Sequence, residues 1–302
     1  MTAYAIVVHA GAGEWDGNAE SEAIAGVREA VARAVQVLRG NGDAIDAVTA
    51  AVVEMEDNPL FNAGTGSVLN LEGAVEMDAA VMTGHDLACG AVAALKRVRN
   101  PILVALRVMQ STPHVFFAGE GALRFARAEG FEDYDPITPG ARQCYEQRAT
   151  ARGTPSPGTV GAVALDRAGR LAAATSTGGR FLKPPGRVGD SPIAGAGTYA
   201  TARAAASATG HGEWLIRHLA TRSVCDLAAD GIPPQQAVER VLAHIAAAST
   251  HEAGLIALTG DGAVGIAHGT PAMPHAWMRE GDADIVARFR CIARSTDGSS
   301  ES

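Results

Sequence analysis

Residues 155–166 read Pro155-Ser156-Pro157-Gly158-Thr159-Val160-Gly161-Ala162-Val163-Ala164-Leu165-Asp166, and the reading of this stretch decides the fold. A loose Ser/Pro/Gly segment ends at Gly158. A β-prone run starts at Thr159 and continues to Leu165. The turn Asp166-Arg167-Ala168-Gly169 then leads to a second run, Leu171 to Ser176, so the pair reads as a hairpin. The second run closes on Ala174-Thr175-Ser176-Thr177-Gly178-Gly179, a cluster of small hydroxyl side chains. Side chains alternate along a strand, so Thr175 and Thr177 share a face. If the hairpin pairs around its turn, Thr177 comes beside Thr159. Cleavage between Gly158 and Thr159 would give Thr159 a free α-amine next to its own hydroxyl, making it nucleophile and general base in one residue.

Outward from the hairpin, strands and helices alternate. Tyr4 to His9 reads as a strand. Glu20 to Leu38 has Ile24, Val27, Val31, Val35 and Leu38 at helical spacing. Asp43 reads as the N-cap of a second helix reaching about Glu56, which Asp57-Asn58-Pro59 stops. Gly-rich turns then alternate with expected strands at Val68–Asn70, Ala74–Val81 and Ala88–Ala94. Helices are expected over Pro101–Met109 and Gly119–Glu129, with one more around Arg142–Arg148. The polar, Pro/Gly-rich segment Phe131–Gly158 reads as the mobile linker. After the hairpin, Gly178 to Pro192 is too rich in Gly and Pro to be an element. Strands are expected at Ile193–Tyr199 and Ala202–Ala208, helices at Glu213–Ala229 and Pro233–Ala247, and strands at Leu255–Leu258 and Val264–Ala267. A less regular tail ends in a segment, Ser295–Ser302, expected to be disordered. Two sheets covered by helices fit this order.

Composition narrows the function. The net charge of −8, without a long Lys/Arg cluster, argues against nucleic acid. Cys89, Cys144, Cys225 and Cys291 are widely spaced with no CxxC, which suggests reduced thiols and neither a disulfide framework nor a zinc site. No run approaches the roughly 18 apolar residues of a membrane span, and the short apolar N-terminus reads as a strand, so the cytoplasm is the expected location. His9, His85, His114, His211, His268 and His275 have no metal-ligand spacing. Asn62–Ser67 (NAGTGS) lacks a Walker lysine.

Two further clusters carry chemistry. Arg187 and Asp190, in a Gly-flanked loop, pair a guanidinium fork for a carboxylate with a carboxylate for an ammonium, the two ends of an α-amino acid. A surface ion pair is the bland alternative. Thr209 and Gly210 precede a helix starting near Gly212, where a hydroxyl and an N–H could stabilise an oxyanion. Simple capping by Thr209 would have the same sequence.

Taken in order, HAGAG at residue 9, NPLFNAGTGSVL at 58, EMDAAVM at 76, GTVGAVALDRAGRLAAATSTGG at 158, GRVGDSPIAGAGTYA at 186 and TGHGE at 209 resemble the plant-type asparaginase and isoaspartyl peptidase family of N-terminal nucleophile hydrolases. The resemblance spans roughly residues 4 to 280. It implies a four-layer αββα fold of α+β class and one hydrolase domain over 1–302, self-cleaved into 1–158 and 159–302. Two such αβ pairs are expected to form a dimer.

By the same resemblance, Thr159 attacks the side-chain amide of asparagine or the isopeptide bond of a β-aspartyl dipeptide. Thr177 tunes the nucleophile. Arg187 and Asp190 hold the α-carboxylate and α-ammonium, with the Gly212 carbonyl as a second ammonium partner. Thr209 and Gly210 stabilise the oxyanion, and Asn62 stands near the nucleophile. No catalytic cofactor is implied, only a structural sodium ion on the backbone carbonyls of Met55, Glu56, Asn58, Phe61, Ala63 and Thr65. Some positions depart from the family pattern. HAGAG replaces the commoner HGGAG, Leu182 stands where Asn is usual, and the linker before Gly158 is short. Two rivals remain: a glycosylasparaginase, whose nucleophile usually sits in HDTIG and not GTVGA, and an unprocessed, non-catalytic scaffold.

Overall fold

The computed structural model describes residues 2–147, 158–249 and 253–291. In chain order the elements are β1 (Ala5–His9), α1 (Glu20–Arg39), α2 (Ala44–Asp57), β2 (Met77–Thr83), β3 (Cys89–Leu95), α3 (Pro101–Ser111), β4 (Phe116–Ala118), α4 (Gly119–Ala128) and α5 (Pro139–Glu146). There follow β5 (Val160–Leu165), β6 (Leu171–Thr177), β7 (Thr198–Ala200), β8 (Ala204–Gly210), α6 (Gly212–Arg217), α7 (Ala220–Ala229), α8 (Pro234–Ala248), β9 (Ala253–Thr259), β10 (Val264–His268), β11 (His275–Arg279) and β12 (Val286–Arg288). One sheet has the order β12-β11-β1-β5-β6-β2-β3-β4 and the other β10-β9-β8-β7.

Strand alternation sorts the core into layers. Ile6 and Val8 of β1, with Val160, Ala162 and Ala164 of β5, pack with Val27 and Val31 of α1, Val48 and Val52 of α2 and Ile102 of α3. Their neighbours Val7, Val163 and Leu165 face the other way, against Ala205, Ile256 and Leu258 of the second sheet. That sheet's outer face, with Ala206 and Leu255, packs on Val224 of α7 and on Val238 and Val241 of α8. The result is helices, sheet, sheet, helices, the αββα sandwich. Both faces of each inner strand are buried, which explains why alanine runs such as Ala172–Ala174 and Ala204–Ala206 form strands despite alanine's helix preference. Their small side chains let two sheets stack closely. Among the described residues no helix is long and apolar enough to cross a membrane.

Several sequence expectations are corrected. Residues 68–70 are not a strand: the Asn70 side chain accepts from the Glu72 and Ala74 N–H groups and turns the chain, so the strand expected at Ala74 begins at Met77. Asp43 occupies the N-cap position of α2 but makes no capping bond. The Ala44 N–H goes to Asp166 instead, and Asp43 pairs with Arg170. The strand expected at Ile193–Tyr199 is confined to Thr198–Ala200, because the chain turns at Gly195 (φ +93°) and Gly197 lies against the Asp190 backbone. The helix expected over Glu213–Ala229 breaks into α6 and α7 at Leu219, whose φ is +44°. The irregular tail contains β11 and β12. β11 is paired with β1, whose partner lies almost the whole chain away and leaves no local signal. The helix expected around Arg142–Arg148 is α5, shifted toward Pro139. Residues 148–157 of the expected linker and residues 292–302 lie outside the described residues, as does the expected disordered end.

Candidate active site

Strand parity assembles the site. The register of β5 and β6 sets Val160 against Ser176 and Gly161 against Thr175, so one step further Thr159 stands opposite Thr177. Odd-numbered residues of both strands face the gap between the sheets: Thr159, Gly161 and Val163 on β5 and its start, Thr175 and Thr177 on β6. Ser207 and Thr209 of β8 enter the same gap from the second sheet, and His9 enters from β1. Thr159 is only 7% exposed.

Each accessory threonine is held by a backbone N–H. Thr177 Oγ1 accepts from the Gly179 N–H at 2.9 Å. Thr209 Oγ1 accepts from the Ala12 N–H, in the HAGAG loop, at 3.1 Å. A hydroxyl that accepts with a lone pair retains its proton for donation. Thr209 therefore does not cap α6; the residue in that position is His211. Asn62 stands next to Gly158: a Cβ built on Gly158 would lie 3.6 Å from Asn62 Nδ2. Its amide donates to the Gly179 carbonyl at 2.7 Å, and its Oδ1 accepts from the Val68 N–H at 2.9 Å.

Behind the threonines runs a buried chain of polar groups. His9 Nε2 lies 3.0 Å from Ser207 Oγ, which lies 2.8 Å from Thr175 Oγ1. Burial lowers the His9 pKa to about 3, against a raising contact with the Thr159 backbone, so the ring is neutral at physiological pH. Gly161 makes room for this chain. A Cβ there would fall 2.1 Å from Ser207 Oγ and 2.4 Å from His9 Nε2. Gly161→Ala is expected to destabilise the protein by about 1–3 kcal/mol, the usual range for overpacking a tight core. Thermal unfolding checks this, and an unchanged Tm would show that the gap is looser than the geometry states.

The charged end of the site is built from the loop between β6 and β7 and from the first turn of α6. Asp190 is 3% exposed, its Oδ2 has no hydrogen-bond partner, and burial pushes its pKa up to about 7. Arg187 lowers that value, while Asp78 and Glu213 raise it. A Cβ at Gly212 would lie 2.9 Å from Arg187 Nη2 and 3.0 Å from Asp190 Oδ1, so Arg187, Asp190 and Gly212 converge on one point. Arg187 and Asp190 are not a simple ion pair. The guanidinium donates through Nε and Nη2 to the two carboxylate oxygens of Glu213, each at 3.0 Å. Asp78, buried, accepts from the Ala94 N–H at 2.8 Å and the Gly189 N–H at 3.3 Å, which fixes the loop between Arg187 and Asp190. Burial raises the Asp78 pKa, which the nearby Lys183 partly offsets; Lys183, also buried, donates to the Glu76 carbonyl at 2.7 Å.

One oxygen of the buried Asp190 carboxylate, Oδ2, thus has no hydrogen-bond partner, close to the Arg187 guanidinium. The asparaginase family profile matches residues 2–287 of this chain. The chain belongs to the asparaginase family. It is 44% identical over 301 residues to the plant-type L-asparaginase of Thermococcus kodakarensis, covering 92% of this chain and 97% of the relative. It is 45% identical over 301 residues to the plant-type L-asparaginase of Pyrococcus furiosus, with the same coverage of both chains. The isoaspartyl peptidase of Escherichia coli is 41% identical over 307 residues, 94% of this chain and 96% of that one.

In this asparaginase-family chain the structure brings Thr159, Thr177, Thr209, Gly210, Asn62 and Gly158 to one end of the inter-sheet gap, Arg187 and Asp190 to the loop beside it, and Gly212 to the facing first turn of α6. The sequence reading passed over Glu213, Asp78, Ser207 and the role of His9. Ser207 and His9 were open to the same parity argument that paired Thr175 with Thr177. Glu213 carried no such signal, since its partner sits in a different loop.

Proposed function

We propose that this protein hydrolyses the side-chain amide of L-asparagine and the isopeptide bond of β-aspartyl dipeptides, after cleaving itself between Gly158 and Thr159 into residues 1–158 and 159–302. The observation that carries the reading is Asp190 Oδ2, a buried acceptor without a partner beside a guanidinium. Native proteins rarely leave such a group unsatisfied, and the ammonium of an α-amino acid would satisfy it. Family membership and the names of the relatives support the same substrates.

The chemistry follows from the geometry. In the cleaved protein the α-amine of Thr159, with an ordinary pKa of about 7.7–8.0, takes the proton of its own hydroxyl. Thr159 Oγ attacks the substrate's β-carbonyl carbon. The Thr209 hydroxyl, its lone pair held by the Ala12 N–H, and the Gly210 N–H donate to the oxyanion. Thr177 donates to the nucleophile and steadies it. The C–N bond breaks, the proton held by the α-amine passes to the leaving nitrogen, and ammonia or an amino acid departs. Water, deprotonated by the same amine, then cleaves the β-aspartyl ester and frees aspartate. Arg187 holds the α-carboxylate, while Asp190 and the Gly212 carbonyl hold the α-ammonium. Asn62, next to Gly158, braces the Gly179 backbone.

We infer no catalytic cofactor but a structural sodium ion at the loop after α2. The carbonyls of Met55, Glu56 and Asn58 each accept one backbone N–H, from Asn58, Thr65 and Phe61. Each keeps a second lone pair. The loop is drawn in so tightly that a Cβ on Gly66 would lie 3.0 Å from the Phe61 carbonyl oxygen. Neutral carbonyl donors of Met55, Glu56, Asn58, Phe61, Ala63 and Thr65 fit a hard monovalent cation, which would brace the loop that carries Asn62. We further infer a dimer of αβ pairs, as is usual in the family. Four free cysteines support a cytoplasmic location.

The test is direct. The purified protein should run as two bands on a denaturing gel, the second with Thr159 at its N-terminus. It should release ammonia from asparagine and leucine from β-aspartyl-leucine, and the two rates side by side give its preference. One persistent band without either activity would favour the scaffold, and faster cleavage of glycosylated asparagine would favour a glycosylasparaginase.

Asp190 predicts a pH dependence. Its raised pKa means that the carboxyl is neutral below about 7 and cannot pair with an ammonium. Binding should therefore weaken as pH falls through that value. The α-amine of Thr159 also protonates on this side, so log kcat/KM should fall with a limiting slope of about two, and in Asp190→Asn, slower overall, of about one. A wild-type slope of one would remove Asp190 from the titration.

A further inference from the structure

We propose that Glu213 is a positioning residue for substrate recognition, holding one edge of the Arg187 guanidinium so that the other edge meets the substrate α-carboxylate. The inference rests on the function proposed above. A guanidinium carries five N–H donors in a rigid plane and offers two forks to carboxylates, one from Nε with Nη2 and one from Nη1 with Nη2. Glu213 takes the first fork, through both of its oxygens at 3.0 Å. The second fork is flanked by glycines. Cβ atoms at Gly189 and Gly212 would lie 3.0 Å from Nη1 and 2.9 Å from Nη2, so glycine at both places keeps side chains away from it. It lies on the side of Asp190, whose Oδ1 would be 3.0 Å from the same Gly212 Cβ.

Glu213 is itself held. His211 Nδ1 lies 3.1 Å from Glu213 Oε2, and Arg180 Nη1 lies 2.8 Å from His211 Nε2. The Glu213 side chain is 41% exposed and that of Arg187 16% exposed, so the pair sits at the mouth of the site and outside its core. The same contact has an opposite reading. Glu213 could occupy Arg187 in place of substrate and compete with it. The two roles predict changes of opposite sign when Glu213 is removed.

The experiment uses the processed full-length protein with Glu213→Ala and Glu213→Gln. As a positioning residue, Glu213→Ala should raise KM for asparagine roughly tenfold or more, the effect of losing charge-assisted bonds that orient the guanidinium. kcat should change far less, and Glu213→Gln should recover part of the loss. Calorimetric binding separates recognition from turnover. L-aspartate should bind Glu213→Ala about tenfold more weakly than wild type, while β-alanine, which lacks the α-carboxylate, should bind both equally. An unchanged or lower KM, or equal weakening for aspartate and β-alanine, overturns the proposal. Unaltered self-cleavage and melting temperature in the variants confirm that the fold is intact. A wild-type protein that neither turns over asparagine nor binds aspartate overturns the functional reading itself, and this inference falls with it.

Discussion

Thr159→Ala should remain one uncut chain of 302 residues and should hydrolyse neither asparagine nor β-aspartyl-leucine. Both losses have one cause. Self-cleavage at Gly158 needs the Thr159 hydroxyl to attack the preceding carbonyl, and turnover needs the same hydroxyl to attack substrate, with the α-amine that cleavage releases as its base. The substitution removes that oxygen and a methyl at a position just before β5, so the strand pairing from Val160 onward is unaffected. Mass spectrometry of the purified variant reads the first outcome and ammonia release the second. Circular dichroism matching the wild type shows that the loss is chemical. A variant that still cuts itself at Gly158 would mean that another group is the nucleophile. The chain of His9, Ser207 and Thr175 behind the site would then be the first place to look.

Arg187→Ala should lower kcat/KM for asparagine by about 2–5 kcal/mol, or tens- to thousandsfold, the range seen when one partner of a desolvated charge pair is removed. Two effects add. The substrate α-carboxylate loses its bidentate donor, and Asp190 loses the cation that lowers its pKa, so less of it is ionised at neutral pH. The loss should be much smaller for 3-aminopropanamide, which keeps the amide and the ammonium but has no α-carboxylate. Steady-state rates on both amides check this. Equal losses on the two would mean that Arg187 supports the loop and does not read the carboxylate. Self-cleavage should be intact, since Arg187 belongs to the recognition end of the site.

Parts of this architecture were legible in the chain because their signals are local. The β-prone runs from Thr159 to Leu165 and from Leu171 to Ser176, with Asp166–Gly169 between, read as a hairpin, and its register decides which hydroxyls share a face. Helical spacing located α1 and glycines marked the turns. The strands at 275–279 and 286–288 were not legible, because β11 is defined by pairing with β1 across the whole chain. The kink at Leu219 was equally silent, since a leucine at positive φ contradicts its own preference and persists only through its surroundings.

Periodicity and turn residues, which act over a few positions, determined the hairpin that sets Thr159 opposite Thr177, and the resemblance of several motifs in order to one family determined the layered hydrolase class. Only the tertiary structure decided that Asp190 Oδ2 is buried without a hydrogen-bond partner, that Arg187 is gripped by Glu213, and that His9, Ser207 and Thr175 join behind Thr159. Those properties depend on how deeply a group is desolvated and on which loops two stacked sheets bring within hydrogen-bond reach. Burial and long-range contact arise only when the whole chain has closed.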